Sequence, residues 1–333
     1  MSDCAICVDM GTTNTRVWFV RGAEVLARAQ SSVGVRDTAR DGTSVRIRLA
    51  LRDLIREVRE RVCSRGIAAE PAAILGAGMI TSPSGLAEIP HVAAPAGTQE
   101  LAAAVRRYNF PDVTDLPILL VPGVRSGSQS VARDMIGEVD VMRGEETLCL
   151  GLVALGRVRT PGTVLNLGSH WKAIRLDTQG RIQSSRTSLS GELIHAAQTQ
   201  TILASAVPRE RPSSLDAAWS EAGMSEQRNS GLARALFCVR LLELNQIGTP
   251  EQRLSFLAGV FVAADFEALL RQGFFKAGSS VSITGGGAIA DAWRAAFKKA
   301  SVHSVALHES DVEAGLLAGL RAVIEASRDT SQA

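Results

Sequence analysis

Asp9-Met10-Gly11-Thr12-Thr13-Asn14-Thr15-Arg16 places a carboxylate, a glycine and a row of small hydroxyl and amide side chains between two apolar runs. Gly11 lets the backbone turn sharply, so turn amides and the hydroxyls of Thr12 and Thr13 can hold phosphate oxygens. Asp9 sits where a carboxylate can organise a hydrated Mg²⁺, an ion that usually keeps several waters. Val164-Leu165-Asn166-Leu167-Gly168-Ser169-His170 repeats the strand-then-glycine pattern. Val281-Ser282-Ile283-Thr284 then runs into Gly285-Gly286-Gly287 and a helix. Those glycines let a flat ligand lie close to the backbone, and the helix N-terminus favours anions. Three such turns are each suited to phosphate or nucleotide groups.

Between the first two turns lies Asp140-Val141-Met142-Arg143-Gly144-Glu145-Glu146-Thr147-Leu148. Acidic residues entering a helix offset its positive N-terminal dipole. No His/Cys cluster has zinc spacing, and no Gly-x-Ser-x-Gly elbow is present.

These residues need a scaffold, and the hydrophobic pattern supplies one. Strands are predicted near Ala5–Val8, Arg16–Arg21 and Glu24–Ala29, followed by a helix over Val45–Cys63. Next come a strand over Ala72–Ala77, a short helix over Gln99–Arg107 and a buried strand over Pro117–Val121. Around Pro161 the order restarts. Strands are expected over Thr163–Leu167, Ala173–Asp177 and Arg181–Thr187, the last two joined at Gly180. A helix begins at about Gly191, and a helical insertion runs from Ser213 to about Asn245. Helix Pro250–Leu270, strand Ser280–Thr284, helix Ile289–Ala300, strand Val302–Leu307 and helix Val312–Ile324 complete the chain. Leu232–Leu244 is apolar enough to be core or a dimer face. The repeated order implies mixed sheets covered by helices.

The 333 residues suit about two domains. A composition of 46% hydrophobic and 21% charged residues suits a sizeable core. Net charge of +2, no Lys/Arg block and 4% aromatics argue against nucleic-acid binding. Apolar stretches such as Leu148–Leu155 are too short to span a membrane. The first strand begins within a few residues of Met1, so no signal peptide is expected. Five scattered cysteines suit free thiols in a reducing cytoplasm, with Cys4-x-x-Cys7 structural.

The first turn resembles the first phosphate segment of the actin–hexokinase–Hsp70 superfamily. The chain as a whole resembles the 2-dehydro-3-deoxygalactonokinases, which phosphorylate 2-keto-3-deoxy-galactonate with ATP. The likeness is carried by Asp9 to Arg16, Gly78-Met79-Ile80-Thr81-Ser82 to Gly85, Glu88-Ile89-Pro90-His91-Val92, Pro95-Ala96-Gly97 and Val121-Pro122-Gly123-Val124. Asp140 to Thr147, Gly168-Ser169-His170-Trp171-Lys172 and Leu189-Ser190-Gly191-Glu192-Leu193 extend it. Met10 replaces a usual Trp. Pro83 and Leu86 stand where the family has an Arg and a Trp, and the order around Trp171 and Lys172 differs.

The resemblance implies an α/β fold of two actin/ribonuclease-H-like lobes, mixed sheets flanked by helices, with an interlobe ATP cleft. The lobes are expected over 1–145 and 146–310, with helix 311–333 packing back towards the first. It further implies an ATP-dependent sugar-acid kinase, with Mg²⁺ held through water by Asp9. Gly11, Thr12, Thr13, Gly168 and Ser169 would hold phosphates, and Gly285, Gly286 and Gly287 the adenosine end. Glu146 or Glu145 would take the proton from the sugar hydroxyl. Asn14, Arg16, Ser82, His91, Arg143, His170 and Lys172 are candidates for the polar, carboxylate-bearing substrate. Arg143 could pair with the substrate carboxylate or brace the glutamates. His195 is read as structural, His303 and His308 carry no assigned role, and the tryptophans are read as packing residues. A homodimer is compatible with this reading. The competing readings are an exopolyphosphatase-like phosphohydrolase of the same fold and a non-catalytic sensor of sugar acid or nucleotide.

Overall fold

The computed structural model describes residues 4–128 and 132–330. The chain forms two compact units, one of residues 1–160, 177–184 and 310–333, the other of residues 161–176 and 185–309.

The first unit begins with three strands, β1 (Cys4–Met10), β2 (Thr15–Arg21) and β3 (Glu24–Ser31). Two helices follow, α1 (Val35–Asp41) and α2 (Val45–Cys63), and then β4 (Ile74–Gly78). Ile6, Val8 and Met10 of β1 are fully buried, each of which favours folding by about 1.5–3 kcal/mol. In α2 the buried residues are Ile47, Leu51, Leu54, Ile55, Val58 and Val62, one face of the helix as the periodicity predicts.

Next in the chain are β5 (Val92–Ala93), α3 (Thr98–Ala103), β6 (Arg106–Tyr108), β7 (Ile118–Leu120), β8 (Val124–Ser126) and β9 (Asp140–Met142). Helix α4 (Glu145–Ala154) follows. The helix expected over Gln99–Arg107 therefore stops early, and Arg106–Tyr108 pairs antiparallel with β7 instead. The alanines of α3 sustain a helix, but the open edge of β7 offers Arg106–Tyr108 a backbone ladder. The exposed Arg106 and Arg107 guard that sheet edge. The main sheet has the order β3-β2-β1-β4-β7-β6, and β5-β8-β9 form a separate small sheet.

The second unit repeats the plan. Its sheet has the strands β10 (Gly162–Leu167), β11 (Trp171–Leu176), β12 (Ile182–Ser188, of which residues 182–184 count with the first unit), β13 (Ser280–Gly285) and β14 (His303–Ala306), in the order β12-β11-β10-β13-β14. In each sheet the first strand pairs antiparallel with its successor on one side and parallel with a later strand on the other. Helices α5 (Ser190–Gln200), α6 (Ala217–Ser230), α7 (Leu232–Leu244), α8 (Pro250–Arg271) and α9 (Ala288–Lys299) complete this unit. Trp293 is fully buried among Phe266, Phe275, Phe297 and Trp171, a packing role as predicted. Helix α7 buries Ala235 and Val239 while leaving Phe237 and Leu244 exposed.

The last helix, α10 (Glu309–Thr330), falls almost entirely in the first unit. It meets α4 at a cluster of glycines. A Cβ on Gly151 would collide with the backbone of Gly315 and Gly319, so only glycine allows this approach. The contact fixes the helix that carries Glu145 and Glu146. Among the described residues no helix is long and apolar enough to cross a membrane.

Candidate active site

In the first unit the chemistry gathers where β1 and β4 end side by side. The two strands are parallel, with Asp9 beside Ala77 and Met10 beside Gly78. Arg16 of β2 stands opposite Asp9 across the antiparallel pair. Gly78 has φ 84°. A side chain there would come within 2.6 Å of the Met10 carbonyl and 3.1 Å of Asp9 Oδ1. Gly144 completes the wall, since its own Cβ would lie 3.2 Å from Gly78 Cα and 3.8 Å from Asp9 Oδ1. The Asp9 carboxylate thus sits in a niche walled by backbone, with Glu145 near enough to act on its charge.

Asp9 keeps part of its surface open, yet its carboxyl group is closely surrounded by protein. That burial pushes its pKa up to about 6; the Arg16 charge works against the shift and the Glu145 charge adds to it. A cation placed here would favour the ionised form. Among the described residues no group of three or more His, Cys, Asp or Glu side chains could enclose a metal. Asp9 with Glu145 nearby fits Mg²⁺, which binds through one or two carboxylates and keeps its waters.

The turn after β1 is held from behind. Gly11 N donates to Asn14 O at 2.8 Å, and Arg36 N at the start of α1 donates to Thr12 O at 2.9 Å. Gly34 must be glycine, because a Cβ would meet the Thr12 carbonyl at 2.5 Å. Thr13 and Asn14 are exposed, and Asn14 Nδ2 donates to Thr13 Oγ1 at 2.9 Å.

The two glutamates separate cleanly. Glu146 is fully buried, and both its carboxylate oxygens accept from Gly144 N at 2.8 Å. Glu145 is half-buried and accepts from Arg143 N at 3.2 Å. Arg143 donates to Thr81 Oγ1 at 2.7 Å and to Ile89 O at 2.8 Å, and lies 3.5 Å from His91 Nδ1. Burial lowers its pKa from the ordinary arginine value, against the pull of Glu146 and Glu88. Ser82 is buried and turns its hydroxyl onto Met79 O at 2.7 Å, which stabilises the loop. Leu86, at the position of a family Trp, belongs to the first unit's core, while Pro83 is exposed.

In the second unit β10 and β13 end side by side in the same way, with Leu167 beside Gly285. Gly285, Gly286 and Gly287 have φ of 71°, 83° and 50°. A side chain on Gly286 would strike Leu167, whereas Gly287 faces open space at the start of α9. Gly168 is exposed and Ser169 half-buried. A Cβ on Gly191 would lie 2.5 Å from Gly168 O and 2.7 Å from Ser169 O, so α5 presses directly on this turn. His170 Nε2 is 3.3 Å from Glu192 Oε2. Lys172 is buried in β11 opposite Asn166.

Each unit therefore brings its own predicted residues together: Asp9, Gly11, Thr12, Thr13 and Glu145 in one, Gly168, Ser169, His170 and Gly285 to Gly287 in the other. Sequence reasoning missed Gly34, Gly78, Gly144 and Gly191 as site residues. Their signal is positional, a glycine wherever another loop's backbone must pass.

The chain is 29% identical over 95% of its length, and 96% of the relative's, to the Rhizobium meliloti protein "Probable 2-dehydro-3-deoxygalactonokinase DgoK1". It is also 29% identical to the 2-dehydro-3-deoxygalactonokinase of Escherichia coli, over 79% of this chain and 80% of that one. The crystal structure of a Sinorhizobium meliloti protein carrying the same kinase name superposes with a TM-score of 0.74 at 24% identity, covering 97% of this chain and 96% of that one. The ADPNP-bound activator of the 2-hydroxyisocaproyl-CoA dehydratase of Clostridium difficile shares the fold, with a TM-score of 0.53 at 12% identity over 99% and 98% of the two chains. The two units thus have the actin/hexokinase-like ATPase fold, with mixed sheets flanked by helices. The family model for 2-keto-3-deoxy-galactonokinase matches residues 9–322, and the chain belongs to that family.

Proposed function

We propose that this protein is an ATP-dependent kinase of 2-keto-3-deoxy sugar acids, acting on 2-dehydro-3-deoxygalactonate to give the 6-phosphate. The observation that carries the reading is the niche of Asp9 and Glu145 between Gly78 and Gly144, in a chain of this family. Phosphoryl transfer asks a protein for positioning and charge neutralisation rather than covalent chemistry. In this reading the turn amides and hydroxyls of Gly11, Thr12 and Thr13 hold phosphate oxygens; within the second unit the turn of Gly168 and Ser169 offers phosphate-binding groups of the same kind. Gly285 to Gly287 admit the adenosine end. Asp9 would hold Mg²⁺, which when bound would neutralise phosphate charge. Glu145 accepts the proton from the attacking hydroxyl, because it is the more accessible of the two glutamates. Glu146 is occupied in closing the start of α4. The reading places the protein in the cytoplasm, where ATP is available and its five free thiols stay reduced.

The test is ADP release from Mg²⁺-ATP by the purified protein, with and without 2-keto-3-deoxygalactonate. Release that depends on the sugar acid is expected. Equal release without it would replace this reading with a phosphohydrolase, and no release with any sugar acid would leave a binding protein.

A further inference from the structure

The small sheet β5-β8-β9 has one buried and one open face. Ala93 pairs with Arg125, and Arg125 with Val141. Side chains alternate along a strand, so these three share a face. Ala93 is exposed, and Val141 is 44% exposed. Their strand neighbours Val124, Ser126 and Met142 point the other way and are buried. Gly123, two residues before Arg125, is buried beneath Arg143 and His91. A Cβ there would meet Arg143 Cγ at 2.7 Å and His91 Cδ2 at 2.9 Å. The open face therefore carries Arg125 between Ala93 and Val141, with the Arg143 stem packed on Gly123 beside it.

The two arginines differ in what they hold. Arg143 spends its Nη atoms on Thr81 and Ile89 and so braces the loops around His91. Arg125 makes one long hydrogen bond, from Nη2 to Ser128 O at 3.3 Å. Its Nε is shielded from solvent with no hydrogen-bond partner. Among the described residues no carboxylate pairs with Arg125. A half-buried guanidinium without a carboxylate partner, whose Nη atoms make only this one long bond, can offer its Nη pair for a two-point carboxylate contact.

Position strengthens the assignment. Arg143 is next to Gly144 and the Asp9 niche, whereas Arg125 lies further back along the sheet, level with Val141. A sugar acid that offers its terminal hydroxyl at the niche must keep its carboxylate away from the phosphates of ATP, which repel it. On the sugar-acid kinase reading above, we infer that Arg125 binds the substrate carboxylate and so sets the preference for acids over neutral sugars.

The test uses the full-length protein with Mg²⁺-ATP and two substrates, 2-keto-3-deoxygalactonate and its C1 carboxamide. Arg125→Gln should raise KM for the acid about 10- to 100-fold and leave KM for ATP unchanged. It should also erase the wild-type preference for acid over carboxamide. Arg125→Lys, which keeps the charge without the fork, should fall between. Titration calorimetry of the acid without nucleotide should show the same loss of affinity in Arg125→Gln, with an unchanged thermal melt. Unaltered KM and acid preference in both variants would overturn the inference while leaving the kinase reading intact. A wild-type enzyme that turns over both substrates equally would overturn it as well. Absence of any sugar-dependent turnover by wild type would bring down the kinase reading and this inference with it.

Discussion

Both carboxylate oxygens of Glu146 accept a hydrogen bond from the amide of Gly144, two residues earlier, each at 2.8 Å. The side chain closes the first turn of its own helix, satisfying an amide that α4 leaves unpaired. Its neighbour Glu145 is near enough to act on the charge of Asp9, accepts from Arg143 N and stays half-buried.

This relationship divides the two residues by experiment. Glu145→Gln should lower kcat by about 10²–10⁴-fold with little change in melting temperature. Glu146→Gln should cost about 1–2 kcal/mol of stability through the weakened cap. Steady-state kinetics with thermal melts separate them; the reverse pattern would move the base to Glu146.

Gly191 touches the turn of Gly168 and Ser169 directly. Gly191→Ala pushes a methyl group against the Gly168 and Ser169 carbonyls. The turn must then move by some tenths of an ångström. KM for ATP should rise several-fold while affinity for the sugar acid in the absence of nucleotide, read by calorimetry, is unchanged. An equal loss of both would show that Gly191 matters for the fold rather than for the turn.

Glu313 ties α10 to the first sheet by accepting from Trp18 Nε1 at 2.9 Å and Arg28 Nη2 at 2.6 Å. Burial works to raise its pKa, but the hydrogen bonds from Arg28 and Trp18 and the charges of Arg28 and Arg16 outweigh it and hold the value low. A carboxylate depressed in the folded state stabilises fully above its unfolded value. That contribution fades as pH falls through the folded value. Glu313→Gln should therefore cost about 0.5–1.5 kcal/mol at neutral pH, reduced by the exposure of Arg28, and less in acid. Chemical denaturation at several pH values reads the difference, and a penalty that grows toward low pH would contradict it.

The thiols should react unequally. Cys63 is exposed, while Cys4, Cys7 and Cys149 are buried. Burial pushes the Cys7 thiol up to about 12, partly opposed by Arg321, which leaves almost no thiolate at neutral pH. Cys238 is half-buried and also raised, first by burial and then by Glu226. Native protein should show one fast-reacting thiol with a disulfide reagent, and the others only on unfolding. Fast labelling of Cys7 would contradict the buried β1.

The sequence by itself determined the three glycine turns, the repeated order of strands and helices, and the family. Helix α2 was legible from the spacing of Ile47, Leu51, Leu54, Ile55 and Val58, because one-sided burial leaves a periodic trace. The strands β1 and β10 were legible because each runs apolar into a glycine. The small sheet β5-β8-β9 was not. Its strands are two or three residues long, too short for any period to show, and pairing partners supply their backbone hydrogen bonds. The same holds for β6, where the edge of β7 prevailed over local helix preference. Only the tertiary structure distinguished Glu145 from Glu146 and Arg125 from Arg143. Adjacent or like residues have the same chemistry in a string of letters. What separates them is burial and which backbone groups they already satisfy, and those depend on elements brought together from distant parts of the chain.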